Sequence, residues 1–195
     1  DKIDEVISRD NFCIMSPISY AGKTRKSEFA RYMYAMAIDV DGIKTEKNFD
    51  FLMAQIKNNE EWRGFVWGIP TPSYIVSSGT GIHLYYVFES PIPLYKNVVK
   101  ELEKLKNRIT WQAWTQGASV LSDNVQYESL FQGFRIPGTI TKKETRAKAF
   151  VSGEKITVEY LNHFVPKEYT ADIKQYKSKL TIEEAKTKYP EWYQK

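Results

Sequence analysis

Arg31-Tyr-Met-Tyr-Ala-Met-Ala-Ile-Asp-Val-Asp-Gly42 is the stretch on which the fold turns. Side chains alternate along a strand, so a strand from Arg31 to Val40 puts Met36, Ile38 and Val40 on one face and Ala35, Ala37, Asp39 and Asp41 on the other. The two carboxylates then leave the same face with Cβ atoms roughly 6.5 to 7 Å apart. Hard cations such as Mg²⁺ or Mn²⁺ prefer oxygen ligands, and a pair of them about 3.5 to 4 Å apart stabilises both the attacking and the leaving oxygen of a phosphoryl transfer. Gly42 permits a sharp exit from the strand, and the small Ala35 and Ala37 leave room for a ligand. The competing reading of the same residues is a polar turn at a strand end.

Outward from this strand, Phe49, Leu52, Met53 and Ile56 recur at helical spacing and predict an amphipathic helix ending near Asn58-Asn59. Phe65-Val66-Trp67 reads as a loop or short strand. Ser73–Ser77 and Ile82–Phe88 read as strands around the turn Ser78-Gly-Thr-Gly81. Leu94, Val98, Leu102, Leu105 and Ile109 mark a second long helix, and Val125–Ile136 alternates loosely enough to suggest a return to the sheet. Two strand-helix-strand passages with hairpins predict an α+β sandwich. Residues 1–165 read as one unit, and 166–195 as a helical extension leading to a further domain. In that extension Thr181-Ile-Glu-Glu184 has the form of a capping box, with Pro190 closing the helix. The start Asp1-Lys2-Ile3 carries no leader and no initiator Met, which suggests excision from a longer protein.

Composition narrows the classes. The chain has 195 residues, enough for a proper core without disulfides or structural metal. With 28 Lys and Arg against 24 Asp and Glu, the net charge of +4 permits a nucleic-acid partner without demanding one. One cysteine, Cys13, and two histidines cannot build an ordinary zinc site or an internal disulfide, so a reducing, cytoplasmic setting is expected. No apolar run approaches the length of a membrane span.

Two further segments carry chemistry. Ser77-Ser-Gly-Thr-Gly-Ile-His83 offers hydroxyls, flexible glycines and backbone N–H groups at a turn, a plausible nest for phosphate oxygens, with His83 on the face away from Ile82 and Leu84. It is not a P-loop, since no Gly-Lys-Ser/Thr ending and no helix follow. Phe131-Gln-Gly-Phe-Arg-Ile-Pro-Gly-Thr-Ile-Thr-Lys142 brings Arg135, Thr139 and Lys142 to a Pro-Gly turn, where arginine supplies a rigid donor fork for phosphate. The basic loop around Lys23, Arg25 and Lys26 is a candidate phosphate-contacting patch.

Taken in order, Ala37-Ile-Asp-Val-Asp-Gly42, Ser77-Ser-Gly-Thr-Gly-Ile-His-Leu-Tyr-Tyr86 and Gln132-Gly-Phe-Arg-Ile-Pro-Gly-Thr139 resemble the successive motifs of archaeo-eukaryotic primases, above all the bacterial plasmid, phage and CRISPR-associated primase-polymerases. The resemblance spans roughly residues 10 to 145. It implies an α/β lobe packed against an RRM-like lobe with the active site between them. It also implies a DNA primase-polymerase that joins nucleoside triphosphates to a 3′-hydroxyl on single-stranded template with Mg²⁺ or Mn²⁺, as a monomeric core within a longer protein. By the same resemblance Asp39 and Asp41 are metal ligands and, with His83, the catalytic set. Ser78, Gly79, His83, Arg135, Thr139 and Lys142 contact the nucleotide, and Lys23 and Arg25 grip the template. The family's third carboxylate has no fixed counterpart; Glu128 is preferred to Asp123. Two other classes compete: a non-catalytic RRM-like module binding single-stranded nucleic acid, which explains the aromatics and basic charge and leaves the Asp pair as a polar turn, and a two-metal nuclease, which uses the same carboxylates.

Overall fold

In the computed structural model, which describes residues 2–8, 11–63, 68–174, 181–188 and 190, the elements follow in order. They are α1 (Lys2–Ser8), β1 (Ile14–Met15), β2 (Ile18–Tyr20), β3 (Ala30–Asp41), α2 (Glu46–Lys57), α3 (Asn59–Trp62), β4 (Tyr74–Ser77) and β5 (Gly81–Pro93), then α4 (Lys96–Ala113), β6 (Phe134–Arg135), β7 (Lys148–Val151), α5 (Val158–Asn162) and α6 (Ile182–Lys188). The strand read from Arg31 is β3, whose register against β5 runs from Tyr32↔Pro93 to Asp41↔Gly81. Five antiparallel strands make one sheet in the order β2-β3-β5-β4-β7, and β1 and β6 form a separate two-stranded ribbon.

The alternation decides the packing. Met36, Ile38 and Val40 are 0% exposed and lie with Ile82, Leu84, Tyr86 and Phe88 of β5 in the main core. Leu52 and Ile56 of α2 and the Val98, Leu102, Leu105, Ile109 stripe of α4 join that core. Each such side chain contributes about 1.5–3 kcal/mol when fully buried. A register slip of one residue would carry Asp39 and Asp41 into this core, so the hydrophobic pattern itself fixes where the carboxylates point. On the opposite face Ala37, Val76 and Tyr85 meet Phe134 of the ribbon and Ala147 in a smaller cluster. The acidic strand end therefore lies under a second, thinner layer.

Three expectations change. Phe49, read into the apolar stripe of α2, is 40% exposed, while Gln55 takes an inward position between Leu52 and Ile56. Residues 125–133 do not return to the sheet; only Phe134–Arg135 is extended, and it pairs with Ile14 and Met15. The reason lies on α4: the Lys106 Nζ donates to the carbonyls of Glu128 at 2.7 Å and Ser129 at 3.2 Å, acceptors a ladder would need. Packing against the core also continues past residue 165, through Ala171, which Asn162 holds by donating to its carbonyl at 3.0 Å and accepting from its N–H at 2.8 Å. The Phe65-Val66-Trp67 segment lies outside the described residues.

Side chains cap the starts of α2 and α6, of which that of α6 was read from the sequence. Thr45 caps α2 by accepting from the Asn48 N–H at 3.2 Å, and the Asn48 amide reaches the Gly117 carbonyl at 2.9 Å, tying α2 to the loop after α4. Thr181 and Glu184 exchange the bonds of a capping box at the start of α6. No described helix is long and apolar enough to cross a membrane.

Candidate active site

Because Asp39 pairs with His83 across the β3–β5 ladder, and Val76 with His83 across β4–β5, the carboxylate and the imidazole stand side by side on the face away from the main core. Asp39 Oδ1 and His83 Nε2 are 3.6 Å apart, beyond hydrogen-bond range. The strand end is gripped from behind. The Trp114 indole N–H donates to the Asp39 carbonyl at 2.7 Å and the Ser119 hydroxyl to the Asp41 carbonyl at 2.5 Å. Gly42, at φ +79°, makes this possible: a Cβ there would lie 2.6 Å from Ser119 Oγ.

A cavity of about 250 Å³ opens over this strand end, lined by Asp39, Asp41, Ser78, Thr80, His83, Glu128, Arg135 and Lys142 together with Phe12, Ile14 and the 132–134 segment. Seven residues singled out in the sequence thus share one site, drawn from β3, the β4–β5 turn, β5, the loop after α4, the ribbon and the segment between β6 and β7. The others fall elsewhere. Gly79 lines the adjacent cleft with Ser77 and Lys148. Thr139 is fully buried and its hydroxyl donates to the Ile136 carbonyl at 2.7 Å, so it closes the Pro-Gly turn instead of facing the cavity. Arg25 lies against Gly133 of the cavity wall, where an added Cβ would come within 2.5 Å of its guanidinium; Lys23 is exposed in the loop before it.

The electrostatics of the cavity are uncompensated. Burial, followed by the charges of Asp41 and Glu128, pushes the Asp39 carboxyl up to about 8. Burial also raises Glu128, with Lys106 pulling the other way. His83 falls to about 4, through burial and then Arg135, and is a neutral imidazole at pH 7. Asp39 Oδ1, His83 Nδ1 and Arg135 Nε are buried with no hydrogen-bond partner, although Arg135 also donates from Nη1 to the Ile140 carbonyl at 2.7 Å and stacks on Phe12. Buried polar atoms normally find partners, so three orphans around one cavity mark a place shaped for a charged ligand.

A divalent cation fits the donors that converge here. Asp39 and Asp41 supply hard oxygen ligands, and the raised proton affinity of Asp39 reports the counter-charge such an ion would bring. Among the described residues no group of three or more His, Cys, Asp or Glu side chains is close enough to form a ready-made cage. Glu128 lines the cavity without closing the shell around the pair, so phosphate oxygens of a substrate would have to complete it.

Sequence reasoning passed over Lys106, Thr80, Trp114 and Ser119. Lys106 is 3% exposed, and burial holds its ammonium down to about 8 despite the attraction of Glu128, Glu103 and Asp39. Its signal was legible, since position 106 falls inside the Leu102, Leu105, Ile109 stripe where a charge is out of place. Thr80 donates to Asp41 Oδ1 at 3.3 Å from within the glycine turn.

This architecture, a mixed helix and sheet domain with its acidic strand end beneath a small second layer, is the archaeo-eukaryotic primase (AEP) fold. The solved structure it is similar to is the AEP domain of the primase-polymerase (PrimPol) of cyanophage S-2L. That likeness has a TM-score of 0.57 and covers 85% of this chain and 76% of that one at 16% identity. No family model and no curated protein matches the sequence.

Proposed function

We propose that the chain is the catalytic core of a primase-polymerase, joining nucleoside triphosphates to a 3′-hydroxyl under the direction of a DNA template. The observation that carries this reading is the convergence of Asp39 and Asp41, Ser78 and His83, and Arg135 and Lys142 on one cavity, from three segments far apart in the chain. Asp39 and Asp41 would hold Mg²⁺ or Mn²⁺, with Glu128 the nearest further carboxylate. Such an ion, when bound, acidifies the attacking hydroxyl and offsets charge on the α-phosphate. The neutral His83 donates a hydrogen bond to a phosphate oxygen without adding a positive charge that would repel the cation. Arg135, through its orphan Nε, and Lys142 add charge-assisted contacts to the triphosphate. The Ser78 hydroxyl accepts from the Gly81 N–H at 3.2 Å and keeps its own proton free to donate. Arg25, beside Gly133, and Lys23 carry the template's phosphates, which makes binding salt-sensitive.

The test is synthesis on a primed and an unprimed single-stranded template with nucleotides and Mn²⁺ or Mg²⁺. The wild type extends or initiates, and Asp39→Ala or Asp41→Ala lowers yield roughly a hundred-fold or more. Normal yield from either variant sinks the metal assignment. Degradation of labelled DNA without nucleotides indicates a nuclease, and strand binding with neither synthesis nor any metal effect indicates a binding module.

A further inference from the structure

On the outer face of α4, away from the catalytic cavity, lies a groove of about 520 Å³ lined by Lys104, Asn107, Arg108, Trp111, Tyr127 and Tyr169. Its composition is unusual for a surface depression: two cations, one amide, three aromatic rings, and neither an acid nor an aliphatic side chain. The Arg108 guanidinium is sandwiched between rings, 4.3 Å from the centroid of Trp111 and 4.9 Å from that of Tyr169. Its Nε is buried with no hydrogen-bond partner. Trp111 is 37% and Tyr127 51% exposed, so both rings remain partly open to solvent beyond the face of Trp111 that Arg108 covers. Packing α4 against the chain around Tyr169 accounts for the Arg108 stack but not for two open rings beside it.

Rings with open π-faces next to cations are what a nucleobase with its phosphate requires, because every base stacks and every phosphate attracts positive charge. Lys104 donates to Glu101 at 2.8 Å, which leaves other ammonium protons for a second acceptor. The location chooses between a free nucleotide and a strand. Tyr127 adjoins Glu128, so the wall of the groove and the wall of the catalytic cavity are consecutive residues of one loop, whose carbonyls Lys106 pins to α4.

We propose that this groove is a second nucleic-acid subsite, which stacks an unpaired base of the single strand threading the catalytic cavity. It rests on the polymerase reading for the direction of the strand, and not for the chemistry of the groove itself. Trp111 and Tyr127 supply the platform, Arg108 and Lys104 the phosphate contacts, and Asn107 an amide for a base edge. The subsite tolerates any sequence, as stacking does.

The experiment titrates the full chain with short oligothymidylate and follows tryptophan fluorescence and anisotropy of a labelled strand. Quenching on binding is expected. Trp111→Ala should lose most of it and weaken affinity by roughly ten-fold or more, whereas Trp111→Phe should keep the affinity and lose the quench. Tyr127→Ala, an exposed position where folding is not in question, should weaken affinity similarly. Quenching with no synthesis by the wild type would remove the polymerase reading and leave the groove standing. Unchanged affinity in both Trp111→Ala and Tyr127→Ala overturns the subsite. Equal competition by a mononucleotide overturns its assignment to a strand.

Discussion

Replacing Asp39 by asparagine should make the metal-free protein more stable. The carboxylate keeps 20% of its side chain exposed, has an orphan oxygen, and faces Asp41 and Glu128, with the Lys106 charge and the Val40 N–H in weaker opposition. Its pKa rises from 3.8 to about 8, so the folded state binds the proton more tightly than the unfolded chain. The stability this gives is fully present below pH ~4 and is lost as pH rises through ~8. At about 1.4 kcal/mol per decade of proton affinity, the span amounts to roughly 6 kcal/mol when fully expressed. Water entry and local relaxation return most of that, and we expect a gain of ~2 kcal/mol for Asp39→Asn at pH 8.5. For a chain of 195 residues this is a rise of about 4–8 °C in Tm. Thermal melts in chelator at pH 4.5 and 8.5 should show the gap opening with pH. Mn²⁺ should then raise the wild type more than the variant and narrow the gap. A variant that melts no higher than wild type at pH 8.5 in chelator, or a gap that ignores pH, refutes the uncompensated carboxylate.

Lys106→Met should cost about 1–3 kcal/mol in urea denaturation, because the carbonyls of Glu128 and Ser129 lose a charged donor, and the released loop should lower nucleotide addition along with stability. Gly79→Ala and Gly22→Ala separate strain from collision: both sit at positive φ, +97° and +82°, but only at Gly79 would the new Cβ meet Thr141, at 2.8 Å. Melting curves should show Gly22→Ala losing about 1–2 kcal/mol and Gly79→Ala clearly more.

The β3, β4 and β5 strands at the centre of the sheet were legible because large apolar residues recur at every second position from Met36 to Val40 and from Ile82 to Phe88, and that alternation also told which way Asp39, Asp41 and His83 point. The two long helices, α2 and α4, were legible through their apolar stripes, except where Gln55 and Lys106 sit buried inside a stripe with partners the sequence does not display. Residues 125–133 misled because loose alternation resembles a strand, while a lysine 22 residues upstream had already claimed the Glu128 carbonyl. Thr139 misled for a simpler reason: a threonine after Pro-Gly serves the turn with the hydroxyl that a phosphate contact would need. The grip of Trp114 and Ser119 on the strand end left no pattern, since any residue offers a backbone carbonyl.

That grip has a consequence for how the molecule comes to life. The bonds from Trp114 and Ser119 close loops of 75 and 78 residues. Contacts of that span form late, after the loop-closure entropy has been met by other packing. During synthesis, a chain that has emerged only through α4 can pair β3 with β5 but lacks the two side chains that grip the carbonyls of Asp39 and Asp41. The acidic strand end is therefore fully fixed only when the segment from Trp114 onward docks, so the final placement of the carboxylates arrives with the end of folding and not with the sheet.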